Sequence, residues 1–143
     1  MTPKAMAELH ARAFAGQGRA WSEAEFSDLL QSNGVFAIHA TGGFAQGGFA
    51  LGRVSADEAE LLTIATDPTA RRRGIGRHML TLFEAEAKSQ GACHIFLEVA
   101  QDNHAANGLY LQAGFQEIAR RPGYYRKADG SLSDALVLKK QLA

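Results

Sequence analysis

Four arginines fall within seven residues, Arg71, Arg72, Arg73 and Arg77, and enclose Gly74, Ile75 and Gly76. The stretch before them has strand character and the stretch after them helical character, so the segment should open a helix. Glycines there let backbone amides approach a ligand closely, and a helix N-terminus carries roughly half a positive charge. An anionic phosphate is the natural occupant of such a place, with the arginines adding charge-assisted hydrogen bonds. The plainer reading is a basic loop with flexible glycines.

The kind of phosphate ligand is narrowed by exclusion. A phosphoryl-transfer loop needs Gly, four residues and then Gly-Lys-Ser/Thr, which the chain lacks. A dinucleotide fingerprint needs Gly or Ala where Met79 stands, and it opens a domain after its first strand. Nucleic-acid binding favours basic residues interleaved with aromatics, and these arginines have no aromatic neighbours. One cysteine excludes an internal disulfide, and no Cys or His cluster has metal-ligand spacing, so no metal is expected. A reducing cytoplasm is the expected location.

Glu98 is an odd residue for its setting. In the strand expected over His94 to Ala100, Ile95, Leu97 and Val99 share one face and Phe96 and Glu98 the other. Both faces of a parallel strand are normally covered. A partly buried carboxylate is therefore expected, with desolvation raising its pKa toward neutrality, which suits a general base. Pairing with an arginine, or an exposed strand end, is the structural alternative. Tyr110 lies seven residues after Asn103, two helical turns, so the two can share one side of a helix; a tyrosine at helical spacing with Ala106 and Ala113 is more often a core residue. Cys93 and His94 are adjacent in an extended segment and point to opposite faces, which leaves Cys93 as a buried, inert thiol. His78 and His104 have no identifiable partner and read as ordinary helix residues.

The elements that would position these residues follow from periodicity. Met6, Leu9, Ala13 and Phe14 predict a helix from about Pro3 to Phe14, and Ser22 with Glu25 forms a capping box ahead of Phe26, Leu29 and Leu30. Strand patterns run from Val35 to Ala40 and Phe44 to Val54 around a Gly42-Gly43 hairpin turn, with a bulge at Gly47-Gly48. A third strand, Glu60 to Thr66, ends at Asp67-Pro68. Ile75, Met79, Phe83 and Ala87 then predict a helix to about Gln90, stopped by Gly91. With the strand His94 to Ala100 this makes a βαβ unit whose strands should run parallel. A helix started by Asp102 or Asn103 and stopped at Gly114 precedes strands over Phe115 to Ala119 and Ala135 to Lys139. The fold class is α/β (α+β), a mixed sheet of six or seven strands with about four helices, in a single domain over residues 1–143.

Composition agrees with a soluble domain. The 143 residues carry 15 basic and 15 acidic side chains, and 46% are hydrophobic. Runs such as Val35 to Ile38 fall far short of the roughly 20 apolar residues that span a bilayer. Glu8, His10 and Arg12 interrupt any signal-peptide core, so the mature chain is expected to start near Met1. Residues 1–70 carry a net charge of −4 and the remainder +4, so the acidic half faces either solvent or a basic substrate.

Taken in order, Asp67-Pro68, Arg71-x-x-Gly74-x-Gly76, Asn103, Leu109-Tyr110 and Gly114-Phe115 resemble the GCN5-related N-acetyltransferase (GNAT) superfamily over about residues 35–140. A narrower likeness runs nearly end to end. Arg12-Ala13-Phe14, Trp21-Ser22-Glu23-x-x-Phe26, Leu97-Glu98-Val99, Arg121-x-x-Tyr124-Tyr125 and Asp134-Ala135 resemble the RimI-type branch, which acetylates the N-terminal alanine of small-subunit ribosomal protein eighteen in bacteria. The chain differs from that branch at Ala20, where proline is usual, at Ala100 and Asn107, and in leaving little room for a first strand.

The resemblance implies acetyl-CoA as the acyl donor, its pyrophosphate in the loop Arg71 to Arg77 and its pantetheine arm along Ile64, Ala65 and Thr66, with Asn103 also facing it. It implies Glu98 as general base, Tyr110 as general acid to the departing sulfur, and direct transfer to a primary amine. Trp21, Arg121, Tyr124 and Tyr125 would line an acceptor groove for a basic protein N-terminus. A small amine or lysine side chain is the alternative acceptor, and a non-catalytic acyl-CoA-binding module is the alternative of another class. Neither nucleic acid nor membrane is an expected partner.

Overall fold

A computed structural model of the chain describes residues 1–14, 20–70, 74–127 and 129–142. Two helices come first, α1 (Pro3–Ala13) and α2 (Glu23–Leu30). Thr2 caps α1 by accepting from the Ala5 amide at 3.1 Å, with Pro3 in the first turn, where its missing N–H costs nothing. At α2 the predicted capping box is complete: Ser22 accepts from the Glu25 amide and Glu25 accepts from that of Ser22.

Three strands follow, β1 (Val35–His39), β2 (Gly48–Ser55) and β3 (Glu58–Thr66), then α3 (Ile75–Ser89), β4 (His94–Ala100), α4 (His104–Gln112), β5 (Gln116–Arg126) and β6 (Leu132–Gln141). They form one six-stranded sheet in the order β1-β2-β3-β4-β6-β5. All neighbours are antiparallel except β3 and β4, which are parallel across the α3 crossover, as the βαβ reading requires. Among the described residues α1 is the first element, and the sheet they form has six strands.

The core is divided by the sheet. Ile75, Met79, Leu80, Phe83 and Ala87 of α3 pack on Ala50, Ala59, Leu61, Ile95 and Leu97 of one face, joined by Tyr110, Phe115, Leu136 and Leu138. On the other face Met6, Leu9 and Ala13 of α1 and Phe26 of α2 cover Phe49, Leu51 and Ala65. Those helices cover β2 and β3 but not the Phe96–Glu98 side of β4, where Phe96 is half-buried and Glu98 exposed.

Several local expectations are corrected. Gly42-Gly43 does not close a tight hairpin: residues Gly42–Phe44 form a 3-10 turn and β2 starts only at Gly48. Bulk explains the delay, because a Cβ at Gly47 would lie 2.7 Å from Ile75 Cδ1, so the loop lies tight against α3. The bulge also lies elsewhere. Leu51 pairs with Thr63 and Gly52 with Leu61, leaving Leu62 as an extra residue on β3. The insertion reverses the alternation: Ala59 and Leu61 face α3 before it, whereas Ala65 faces α1 and α2 after it. β5 is much longer than the stretch Phe115 to Ala119, running to Arg126 through Pro122 and Gly123, which an edge strand tolerates.

Candidate active site

The parallel pairing of β3 with β4 covers only Glu58 with His94, Ala59 with Ile95 and Glu60 with Phe96. Beyond them, Leu61–Thr66 and Leu97–Ala100 have no pairing across the gap, although each strand stays paired on its other side. Inside a sheet this leaves a seam of backbone donors and acceptors open to an extended, amide-bearing ligand. Ile64, Ala65 and Thr66 lie on the β3 side of the seam; Ala65 is fully buried, so its backbone alone is on offer.

β3 passes into the α3 N-terminus through a fastened turn. Asp67 Oδ1 accepts from the Thr69 amide and hydroxyl at 3.0 and 2.8 Å, and Arg12 reaches Asp67 Oδ2 at 3.4 Å. The Thr69 hydrogen bonds, with Arg12, hold the Asp67 carboxyl below its usual range. Gly74 is the N-cap of α3 at φ +81°, with no side-chain cap. Among the described residues no side chain caps the first amides of α3, which suits them to an anion. Arg71, Arg72 and Arg73 lie outside the described residues.

The rest of the glycine-arginine segment serves packing more than expected. A Cβ at Gly76 would meet Leu109 Cδ2 of α4 at 3.0 Å, so this glycine lets α4 lie close to α3. Ile75 is a core residue. Arg77 donates to Gln112 Oε1 at 3.3 Å, tying α3 to α4. Asn103 is the N-cap of α4 and accepts from the Ala106 amide at 3.3 Å, so its side-chain oxygen is engaged in the cap. His78 has partners after all: its Nε2 accepts from the Thr41 amide at 3.1 Å, binding the 3-10 turn to α3. Cys93 is exposed rather than buried, because it lies in the turn ahead of β4, where its N–H donates to the Asp57 carbonyl.

Glu98, on the freed part of β4, is exposed as a residue, yet its side chain is partly buried, 29% exposed. Its carboxylate takes an ion pair from Arg121 Nη2 at 3.0 Å, the arrangement that the structural alternative describes. No β4 residue belongs to the core that α1 and α2 form on this face, and the carboxylate there meets Arg121. Arg121 also lies over the Tyr124 ring, 5.3 Å from its centroid, and Tyr124 meets Tyr125 edge to face at 5.3 Å. Burial, followed by the charge of Glu98, pushes the Tyr125 phenol above its ordinary range. Tyr110 is buried, packs edge to face on Phe115, and has its phenol pushed well above 10 by burial and by the proximity of Tyr125.

Glu98, Arg121, Tyr124, Tyr125 and Tyr110 therefore form one cluster drawn from β4, β5 and α4. Trp21 is not part of it. Its ring stacks on His10 at 5.1 Å and meets Phe26 at 5.6 Å, within the aromatic group of α1 and α2. Asn107, one of the departures noted above, donates to the carbonyls of Ala100 and Gln101 at 3.1 and 3.0 Å and so ties the end of β4 to α4. No group of three or more His, Cys, Asp or Glu suited to a metal occurs among the described residues. Among those residues no helix is long and apolar enough to cross a membrane.

The model of the acetyltransferase (GNAT) family matches residues 4–115. The chain belongs to the GNAT acetyltransferase family. Among its GNAT relatives, the [ribosomal protein bS18]-alanine N-acetyltransferase of Escherichia coli (strain K12) is 36% identical over 118 residues, 82% of this chain and 78% of that one. A crystal structure of the Escherichia coli ribosomal-protein-S18-alanine N-acetyltransferase superposes with a TM-score of 0.87 at 33% identity, covering 99% of this chain and 88% of that chain. The N-alpha-acetyltransferase RimI of Mycobacterium tuberculosis is 39% identical over 124 residues, 84% of this chain and 76% of that protein. The GNAT fold extends to yncA of Salmonella typhimurium, a putative acetyltransferase solved with its cofactor acetyl-CoA, at a TM-score of 0.79 and 20% identity, over 99% of this chain and 88% of that one.

Proposed function

We propose that the protein transfers the acetyl group of acetyl-CoA to the α-amino group of a protein N-terminal alanine, that of ribosomal protein bS18. The observation that carries this reading is the parting of β3 from β4 with Glu98 on the freed stretch of β4. Identity to enzymes named for this substrate chooses the acceptor. The cytoplasm, where ribosomal proteins are made, is the proposed location.

The residues fit the donor. An arm rich in amides can pair with the backbone at Ile64 to Thr66, and a pyrophosphate suits the uncapped amides of Ile75, Gly76 and Arg77, with Arg71 to Arg73 supplying charge. The donor supplies an activated thioester. Glu98 accepts the proton that the acceptor amine loses as its nitrogen bonds to the carbonyl carbon, directly or through a water. Tyr110 gives its proton to the departing sulfur; its phenol is protonated at neutral pH, and burial makes it hold that proton more tightly until thiolate charge develops beside it. Tyr124 and Tyr125 flank the acceptor. Alignment of the two substrates contributes more than either proton transfer, which supplies roughly 10²- to 10⁴-fold.

The test is acetyl-CoA-dependent thiol release with a peptide copying the mature bS18 N-terminus, an N-terminally blocked copy and a panel of small amines, with mass spectrometry locating the acetyl group. Acetylation of the free alanine amine alone is the expected result. An inert peptide beside a reactive small amine would overturn the acceptor; CoA binding with no turnover anywhere would overturn catalysis.

A further inference from the structure

β5 is the edge strand of the sheet, and its pairing with β6 is broken where the acceptor-side residues lie. Arg121 pairs with Ala135 and Tyr125 with Ser133, so four steps along β5 match two along β6. Two extra residues therefore bow out between Arg121 and Tyr125. Gly123 occupies the bow at φ +61°, in the left-handed region that glycine favours. An edge strand has no second neighbour to hold such a bow. What holds it is a side chain: Gly123 N–H donates to Asp134 Oδ1 of β6 at 2.9 Å, while Asp134 Oδ2 faces Arg120 Nη1 at 3.7 Å.

We propose that Asp134 is a positioning residue for the acceptor, holding the Pro122–Tyr124 bow so that Arg121 and Tyr125 flank Glu98. This rests on the reading of that cluster as the acceptor site. Asp134 lies on β6, three residues along from Val137, the partner of Glu98, and need not touch substrate. Its importance lies in register. Without the bow β5 would pair straight, and Tyr125 would move two residues along the strand, roughly 7 Å, losing its place beside Glu98. Ser133 steadies the same stretch of β6 from the other side, donating to Asp102 Oδ1 at 3.1 Å, while Asp102 is paired with Lys127. The bow is thus pinned by β6 at its middle and by the Asp102 turn at its far end.

Two substitutions separate the hydrogen bond from the charge. Asp134→Ala removes the acceptor for the Gly123 amide; Asp134→Asn keeps an acceptor oxygen and discards only the charge. Loss of a hydrogen bond to a charged group predicts an increase of about tenfold in KM for the alanine peptide with Asp134→Ala. The KM for acetyl-CoA should stay within twofold, and Asp134→Asn should restore the peptide KM to within about threefold of the parent. Amide exchange read by NMR gives a second measurement free of turnover: Gly123 should be protected in the parent and in Asp134→Asn, and exposed in Asp134→Ala. An unprotected Gly123 in the parent, equal peptide KM in all three proteins, or equal damage from Asn and Ala would each overturn the proposal. So would a loss of acetyl-CoA affinity matching the loss for peptide, which marks a merely structural residue. A parent protein inert toward peptide overturns the acceptor reading itself, and is distinguished because it appears before any substitution is made.

Discussion

Gly74 and Gly76 look alike in the sequence, and the structure gives them different reasons to be glycine. Adding a Cβ at Gly76 brings it to 3.0 Å from Leu109 Cδ2, 3.7 Å from Cδ1 and 3.9 Å from Cγ. All three are atoms of one flexible, half-buried side chain, so relief needs a shift of a few tenths of an ångström. Overpacking of this mild kind costs about 1 kcal/mol, the low end of the usual range. The gain from replacing glycine by alanine inside a helix is at most about 1 kcal/mol, and less in the first turn. Gly76→Ala should therefore lower stability by about 0–1 kcal/mol, a drop in Tm of no more than about 4 °C for a domain of this size. The added methyl points at α4, which leaves the first amides of α3 free, so acetyl-CoA affinity should fall by less than about threefold. Gly74→Ala meets nothing within 4 Å but must hold φ +81° at the N-cap; its cost, about 1–2 kcal/mol, is backbone strain at the amides proposed for the pyrophosphate. Thermal unfolding and calorimetric titration with acetyl-CoA on both variants read these terms separately. Loss of acetyl-CoA binding by Gly76→Ala at an unchanged Tm would refute the packing argument and return Gly76 to a place against the phosphates.

Glu98→Gln should slow acetyl transfer by roughly 10²- to 10⁴-fold while calorimetry finds acetyl-CoA affinity intact; unchanged turnover would remove Glu98 from the mechanism. Tyr110→Phe should slow transfer by about 10²-fold with saturating substrates, and a rate equal to the parent's would assign the protonation of sulfur elsewhere. Because burial raises the Tyr110 pKa above its ordinary 10.0, the folded chain holds that proton more tightly than the unfolded chain. The resulting stability is complete below about pH 10 and is lost as pH rises beyond it, so Tyr110→Phe should flatten the alkaline decline seen in denaturant melts. Gly52→Ala places a Cβ 2.4 Å from Phe83 Cε2 and 2.7 Å from Phe36 Cζ, against two stacked rings of which Phe83 is fully buried. About 3 kcal/mol of overpacking, or a Tm lower by about 10 °C, is expected by calorimetry, and a melt within 2 °C of the parent would contradict it.

The local elements were largely legible because their signals are local. The Ser22–Glu25 capping box, the α3 stripe of Ile75, Met79, Phe83 and Ala87, the alternation along β4 and the stop at Gly91 each need only neighbours in sequence. The motif order identified the family, and the parallel β3–β4 pairing followed from the crossover rule. Tertiary packing decided the rest. Alternation in β4 shows that Phe96 and Glu98 share a face, but not whether any helix covers it; α1 and α2 stop short, and Glu98 meets Arg121 instead of a dry pocket. The Leu62 bulge has no sequence mark, since it is set by how β2 and β3 must pair to serve two different cores. Gly76 reads as a ligand-approach glycine until Leu109 is seen against it. Asp134 is eleven residues from Gly123 in sequence, and only the β5–β6 register turns it into the acceptor of a bowed edge strand. Sequence thus determined which groups are present and which elements carry them. Which of those groups face one another was decided by strand order and register, through contacts between residues far apart along the chain.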